Sequence, residues 1–513
     1  MKTYKTLLLI ISILLVHNIN SYGQATILQT LTENLENSAS NFGKSVSSAG
    51  DVNNDGYDDV IVTGNDSLIY IYFGGEAIDD TADVILVSNS FGSAASAGDV
   101  NNDGYDDIIV SGTHFVFFYG YKGGAGIFFG GEQMDTEVDV MFSEKSSFLG
   151  VSLAGAGDLN NDGFDDVIVG AGGNSLDQGA YIYFGGTTMD NEVDLELTET
   201  VANSFFGASV STAGDVNNDG FDDVIVGSHR FDNSKGRSLV YFGGLTMKDS
   251  ADVVLEGKES TENFGWSVST AGDVNNDGYD DIIIGAKAYT RSTGRAYIYY
   301  GGATVADTAT IILTGEKSRS EFGVSVSSVG DINFDGYDDV IVGAGGYVTA
   351  TGRAYVFLGD STMNNSADVI ITGRTTNNFF GNSVSGNLDV NNDGVNDILV
   401  GAYKNKEAFV YTIFNPTSLE EVEITNLDFK LFQNYPNPFN PTTKINFSLS
   451  EATRVSITIY NSIGQQVKEL INKDFSAGVQ SVDFNASNLS SGIYFYRIHA
   501  SGYSTTKKML LLR

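Results

Sequence analysis

The chain has 513 residues, a formal charge of −37, four histidines and no cysteine. Its length implies about three domains, the absent thiols exclude disulfides and thiolate metal sites, and so few histidines argue against a multi-histidine zinc centre. The negative charge sits between residues 25 and 415, about −40 by difference, because residues 1–24 carry +2 and residues 416–513 carry +1; a field of that sign repels phosphate backbones and anionic membranes, so nucleic acid is not an expected partner.

Residues 1–24 read as a signal peptide. Lys2 and Lys5 precede an apolar run at 7–16 and a polar stretch at 18–24. The run is short for a bilayer span, and no other segment is long and apolar enough for one, so the mature chain is expected to have no transmembrane segment. Residues 25–32 read as a strand.

From residue 42 to 415 one unit recurs. In its fifth copy, Phe264-Gly265 opens an alternating segment that runs to Gly272. A nine-residue loop follows at 273–281, then the apolar run Ile282-Ile283-Ile284, a polar loop, the segment 295–302 and an alternating segment at 310–313. These are four short strands separated by turn signals. A four-stranded sheet with two apolar faces cannot bury itself, and radial packing of such sheets gives a β-propeller. After the seventh copy no fourth strand is found before Pro416, and residues 25–32 stand before Phe42-Gly43 as residues 193–198 stand before Phe206-Gly207. The reading is a seven-bladed propeller over 25–415 whose N-terminal strand closes blade seven and removes an exposed sheet edge. In the second copy, residues 114–121 form an extra strand or an aromatic loop.

The nine-residue loop has the form Asp-x-Asn-x-Asp-Gly-x-x-Asp, at intervals of 48, 59, 57, 58, 58 and 58 residues. Alternate positions face inward when such a loop wraps an ion, and Gly allows the sharp turn, so the oxygens form a cage suited to Ca2+. In the first copy the ligands are Asp51, Asn53, Asp55, the carbonyl of Tyr57 and Asp59. In the second they are Asp99, Asn101, Asp103, Tyr105 and Asp107, and in the third Asp158, Asn160, Asp162, Phe164 and Asp166. The fourth has Asp215, Asn217, Asp219, Phe221 and Asp223, and the fifth Asp273, Asn275, Asp277, Tyr279 and Asp281. The sixth has Asp331, Asn333, Asp335, Tyr337 and Asp339, and the seventh Asp389, Asn391, Asp393, Val395 and Asp397. An EF-hand needs an acidic residue at position twelve, which here is Val62, and a helix where Val60-Ile61-Val62 reads as a strand. About seven Ca2+ are expected, one per blade, with affinities of roughly 10⁻⁴–10⁻³ M or tighter. Position eight, Asp in six copies and Asn396 in the last, is expected outside the cage or facing solvent.

All four prolines lie at or beyond Pro416. Residues 416–428 read as an acidic linker. Residues 429–513 read as a separate small immunoglobulin-like sandwich with strands at 444–449, 454–460, 466–471, 479–484, 492–498 and 507–512.

The Phe-Gly opening, the loop and the Val-Ile-Val-Gly-Ala run together resemble the FG-GAP repeat of integrin alpha-subunit propellers. No Pro follows Gly170-Ala171-Gly172 or Gly343-Ala344-Gly345, and all seven loops keep ligands where the resemblance implies only a subset. The tail resembles the C-terminal sorting domain of type IX secretion in Bacteroidetes. The matching residues are Asn434-Tyr435-Pro436-Asn437-Pro438-Phe439-Asn440-Pro441, Ile459-Tyr460-Asn461, Gly464, Ala477-Gly478, Ser491-Gly492-Ile493-Tyr494 and Lys508-Met509. That resemblance implies export by the signal peptide and then the type IX machinery, to the cell surface or medium, with the tail removed on the way.

The calcium loops occupy one face. In integrins the opposite face contacts partners, and here it would carry Tyr119, Tyr121, His229, Arg230, Phe231, Tyr289, Arg291, Tyr347 and Tyr403, side chains of the anchoring kind. No Gly-x-Ser-x-Gly elbow, Walker loop or His-Glu-x-x-His occurs, so no catalytic residue is assigned. The expected role is a secreted or surface calcium propeller that binds an extracellular protein or glycan. The alternatives are a lyase-like polysaccharide enzyme, supported only by His229-Arg230 and Arg291 with His114 as another conceivable base, and a structural surface-layer component.

Overall fold

The computed structural model describes residues 24–33, 41–64, 68–88, 93–112, 115–116, 120–121, 123–143, 146, 148–173, 178–414, 430–431, 439, 441–449, 453–461, 465–475, 478–487, 489–500 and 503–511. Residues 1–23 of the expected signal peptide, the linker, His114 and Tyr119 lie outside these. The chain divides into two compact units, Met1–Asn415 and Pro416–Arg513.

The first unit is all-β. Seven four-stranded antiparallel sheets follow one another, numbered here in chain order. Sheet 4 contains Phe206–Gly214, Asp223–Ser228, Arg237–Tyr241 and Val253–Glu256. Sheet 5 contains Ser267–Gly272, Asp281–Ala286, Arg295–Tyr299 and Ile311–Thr314, close to the segments expected from the sequence. Sheet 7 contains Val384–Leu388, Asp397–Ala402 and Glu407–Phe414, and its fourth strand is Gln24–Thr32, paired antiparallel from Gln24 opposite Phe414 to Thr32 opposite Glu407. In sheet 2 the aromatic insertion is a short hairpin, Phe115–Val116 against Gly120–Tyr121.

Strand burial follows residue type. The second strands are buried on both faces, so they read as unbroken Val/Ile runs rather than alternating ones. The fourth strands alternate, as in Val84–Val87, because one of their faces meets solvent. The first strands are rich in Ser, Ala and Gly. First strands of consecutive sheets touch, and those of sheets 7 and 1 touch as well, which small side chains permit.

Seven apolar clusters fill the spaces between sheets. Each is shared by two consecutive sheets, as with Leu255 and Val240 against Phe264 and Ile284 between sheets 4 and 5. The last joins Leu388, Val390 and Leu399 of the seventh repeat to Phe42, Val60 and Tyr72 of the first. In the first, fifth and sixth repeats the Phe of the Phe-Gly pair is buried and meets two aromatic rings edge-on. Phe264 lies 5.3 Å from Tyr297 and 6.2 Å from Tyr299, Phe322 lies 5.3 Å from Tyr355, and Phe42 lies 5.1 Å from Tyr70. Such pairs are worth about 0.5–1.5 kcal/mol beyond the burial itself. Repeated four-stranded sheets with shared cores are consistent with a propeller.

The second unit has a three-stranded sheet of Lys430–Leu431, Thr442–Leu449 and Gly478–Asn485, and a four-stranded sheet of Gln466–Phe475, Thr453–Asn461, Gly492–Ala500 and Tyr503–Leu511. One core containing Ile445, Phe447, Ile457, Phe484, Tyr496 and Met509 is built from both sheets.

Candidate metal loops and the opposite face

Each nine-residue loop joins the first strand of a sheet to the second, and all seven fold alike. In the first, Asp51 Oδ1 accepts the Asp55 N–H at 3.0 Å and Oδ2 accepts the Gly56 N–H at 2.8 Å, while Asp55 Oδ1 accepts the Tyr57 N–H at 3.1 Å. Positions one, three, five and seven are thereby wrapped around one turn. The residue at position four takes a left-handed conformation, as Asn54 does at φ 54°, and Gly56 at position six has φ 90°.

Position three carries the observation that bears on a ligand. The side-chain oxygens of Asn101, Asn160 and Asn217 are buried without a hydrogen-bond partner, which is uncommon for a buried polar atom. In the first and seventh loops the equivalent oxygens of Asn53 and Asn391 accept the N–H of position five at 2.9 Å. An unpartnered amide oxygen in an acidic turn suits a hard cation.

Position nine lies at the base of the loop. Asp59 is fully buried, with Oδ2 on the Val52 N–H at 3.0 Å and Oδ1 on the Gly74 N–H at 2.8 Å. Burial, with Asp55 and Asp51 nearby, pushes its carboxyl up to about 8 against those two donors. Asp223, Asp281, Asp339 and Asp397 are raised to about 8, and Asp107 and Asp166 to about 7, with burial first in each case. Position nine therefore anchors the turn to the strand behind it. Among the described residues no three His, Cys, Asp or Glu side chains converge as a metal-holding group. A carboxylate oxygen has further lone pairs beyond one hydrogen bond, so this arrangement leaves positions one and five with capacity for a cation.

Of the two roles expected for position eight, outside the cage or facing solvent, the bonds fit the first. Asp106 Oδ2 accepts the Asp51 N–H of the preceding repeat at 2.8 Å, and Asp165, Asp222, Asp280 and Asp338 each hold position one of the preceding loop at 2.9 Å. Asp58 does the same for Asp389 of the seventh loop, at 2.6 Å. The Gly before the loop leaves room for this carboxylate, since a Cβ on Gly272 would lie 2.2 Å from Asp338 Oδ2. Position four adds a second tie. Asn102, Asn161 and Asn218 donate to the position-six carbonyl of the following loop, and Asn392 donates to Gly56 O at 2.8 Å. Between the sixth and seventh loops both positions differ. Asn396 donates to Val329 O and Asn387 Oδ1, and Phe334, at φ 60° and 55% exposed, replaces the Asn.

The opposite ends of the same strands carry the aromatic residues expected as anchors. Phe231, Tyr289 and Tyr347 open four-residue turns with three consecutive positive φ values, 36° at Thr290 and at Val348. Each ring lies under the arginine that begins the third strand of its own sheet, at 3.9 Å for Arg237, 3.5 Å for Arg295 and 3.8 Å for Arg353. These rings are committed to the scaffold. Tyr403 lies 5.2 Å from Phe379, Arg291 is exposed, and the side chain of Tyr121 lies outside the described residues.

Between sheets 4 and 5 a row forms that the sequence reading only partly saw. Arg230 lies over Phe205 at 4.3 Å, Phe205 is 5.1 Å from His229, His229 is 4.7 Å from Trp266, and Lys287 Nζ is 3.2 Å from the Trp266 ring centre. His229 is 5% exposed and its Nδ1 has no partner. Burial, then Arg230 and Lys287, pushes its imidazole down to about 4. Burial also lowers Lys287, against the pull of Glu321.

Comparison with known proteins matches four segments, 149–184, 206–241, 264–299 and 322–357, to the FG-GAP repeat, and residues 51–110 to an FG-GAP-like repeat. Residues 433–512 match the secretion system C-terminal sorting domain. Integrin alpha-5 of Xenopus laevis is 31% identical over 226 residues, 40% of this chain and 21% of that protein. Integrin alpha-6 of Gallus gallus is 26% identical over 324 residues, 58% and 30% respectively, and integrin alpha-PS2 of Drosophila melanogaster is 31% identical over 229, 40% and 16%. The chain thus spans less than a third of the length of these relatives. A solved structure of PorZ, described as an essential bacterial surface component of the type-IX secretion system of Porphyromonas gingivalis, aligns over 89% of this chain and 64% of that one at 12% identity and a TM-score of 0.32, a level that specifies neither fold nor role. No helix among the described residues is long and apolar enough to cross a membrane. The chain carries integrin-alpha-like FG-GAP repeats and ends in a type IX secretion sorting domain, which marks it as a protein delivered to the cell surface or beyond.

Proposed function

We propose that this protein is a seven-bladed, ring-closed calcium propeller that acts outside the cell as a binding or adhesion module for an extracellular protein or glycan. The sorting tail, read as an immunoglobulin-like sandwich, engages the secretion machinery and is removed during export. Ring closure is supported by the N-terminal strand in sheet 7 and by the bonds from Asp58 and Asn392 across the first and seventh loops.

One calcium ion per loop is supported by the unpartnered amide oxygens of Asn101, Asn160 and Asn217 in turns that also present two carboxylates. Positions one, three, five and nine and the carbonyl of position seven would hold the ion, with position nine also bonded to the backbone behind the loop. Bound calcium would supply positive charge in a strongly acidic ring and stiffen the turns that tie repeat to repeat.

The observation that carries the binding role is the contrast between the two faces. One is near-uniform, save at the junction of the sixth and seventh loops, and taken up by scaffold bonds; the other departs from the repeat at His229, Trp266 and Lys287. The test is binding of the full calcium-loaded chain to an array of extracellular glycans and matrix proteins, with an EDTA control. Calcium-dependent, saturable hits are expected. An empty array, together with ordered self-assembly of the protein, would replace the binding role with a structural one.

A further inference from the structure

We propose that Arg291, Lys317 and Arg319 form a binding site for a sulfate ester carried by an extracellular glycan. This rests on the binding role above and specifies the chemistry of its ligand.

The three residues lie on two connections of sheet 5, at the end away from the metal loops. Arg291 is in the turn between the second and third strands, and Lys317 and Arg319 follow the fourth. The two connections are tied to each other. The Arg319 N–H donates to Arg291 O at 3.1 Å, and the buried Ser320 Oγ lies 2.6 Å from Lys317 O and 2.9 Å from Thr293 O. Arg291, Lys317 and Arg319 are all exposed, and among the described residues none of their side chains has a hydrogen bond or an ion pair. The neighbouring carboxylates are engaged elsewhere, Glu316 with Arg353 at 3.0 Å and Glu321 with Lys287. Three uncommitted cations thus stand together on a fixed backbone.

The scaffold does not ask for arginine at these positions. Arg291 and Arg319 have φ of 59° and 64°, a left-handed conformation that favours Asn. Other repeats, in the same conformation, carry Asn233 and Thr349 at the first position, and Asn203, Thr261 and Asn377 at the second. Nor does the acidity of the chain oppose an anion here. Among the described residues before 415, every exposed Lys or Arg lies at this end of the sheets except Lys248, which is paired with Asp252. The acidic loops stand a strand length away. Asp281–Ala286 has six residues, roughly 20 Å, against a screening length of about 8 Å at physiological salt.

The surroundings select the ligand. Tyr289 and Tyr347 are covered by Arg295 and Arg353, so neither ring is free to stack on a neutral sugar. Thr290 and Ser318 beside the cations are exposed and polar, and Val348 is the one large apolar side chain exposed on the adjacent turn. That is too little for the apolar core of a protein interface. A strongly charged glycan needs no such core. A sulfate ester presents three equivalent oxygens, one for each cation, and arginine forks match such oxyanions; a carboxylate presents two.

The probe is fluorescein-labelled dextran sulfate, titrated into the full chain at fixed calcium and followed by anisotropy, with labelled hyaluronate and polyglutamate as comparisons. Saturable binding of dextran sulfate alone is expected. Arg291→Asn and Arg319→Asn install the side chain used in other repeats. Each should leave the melting temperature unchanged and weaken binding about tenfold or more, as loss of a charge-assisted contact requires. Lys248→Asn, on the metal side, should change neither. Binding that survives both arginine substitutions, or hyaluronate or polyglutamate binding as tightly as dextran sulfate, would overturn the sulfate site. No response to dextran sulfate while the array gives calcium-dependent hits would overturn it and leave the binding role intact.

Discussion

Replacing Asp58 with Ala tests how the first and seventh repeats are held together. Asp58 Oδ2 accepts the Asp389 N–H at 2.6 Å, and the Asp58 N–H returns a bond to Asp389 O at 3.2 Å. A hydrogen bond to a charged acceptor is worth about 1.5–3 kcal/mol net, and its loss leaves the Asp389 donor unmatched. Part of that is already forfeited, because burial, and repulsion from Asp389, Asp106 and Asp51, disfavour the Asp58 charge and raise its pKa. The expected cost of Asp58→Ala is therefore about 1–2 kcal/mol. With an m-value above about 3 kcal/mol/M for a unit of this size, the urea midpoint followed by circular dichroism should fall by up to about 0.7 M. Asp58→Asn keeps an acceptor oxygen and relieves repulsion, so its shift should be less than half as large. Glu76→Ala, on the exposed surface of the same repeat, should not move the midpoint. If Asp58→Ala unfolds at the wild-type midpoint, the cross-repeat bond contributes nothing and the argument for closure through it fails.

Three further outcomes are expected. Removing calcium with EDTA should lower the melting temperature, since each loop at a tenfold excess of ion over Kd gains about 1.4 kcal/mol; superimposable melts with and without EDTA would rule out a structural role for the ion. Phe264→Ala removes a fully buried ring packed against Tyr297 and Tyr299 and should cost about 3–5 kcal/mol by denaturant unfolding, with a cost below about 1 kcal/mol contradicting the core placement. Acidification should weaken the native state through His229, whose folded pKa of about 4 lies below the ordinary 6.5. Its contribution is complete above about pH 6.5 and is lost as pH falls towards about 4, roughly 2 kcal/mol by about pH 5. His229→Gln should flatten that part of the stability profile relative to wild type, and parallel profiles would show that the imidazole is not held neutral.

The repeat architecture was legible because its signals are local. The spacing of the Phe-Gly pair, the loop and the apolar run placed four strands per unit, and the absence of a fourth strand after the seventh loop pointed to residues 25–32, which pair with Glu407–Phe414. Position eight was left open, outside the cage or facing solvent, because its partner lies 55 to 66 residues away in the neighbouring repeat. A signal was nevertheless present, since Asn396 and Phe334 depart from the pattern on the two sides of one junction, as residues that face each other would. The same comparison sorts the opposite face. Phe231, Tyr289 and Tyr347 each stand six residues before an arginine, Arg237, Arg295 and Arg353, and a pairing repeated in three copies belongs to the scaffold, as the stacked geometry shows. Trp266 and Lys287 have no counterpart in the other repeats. The sheets make the same packing demands wherever the unit recurs, so a side chain found in one copy answers to something other than packing. In an array built from near-identical units, the residues that break the repeat are the ones through which one junction can act differently from the rest.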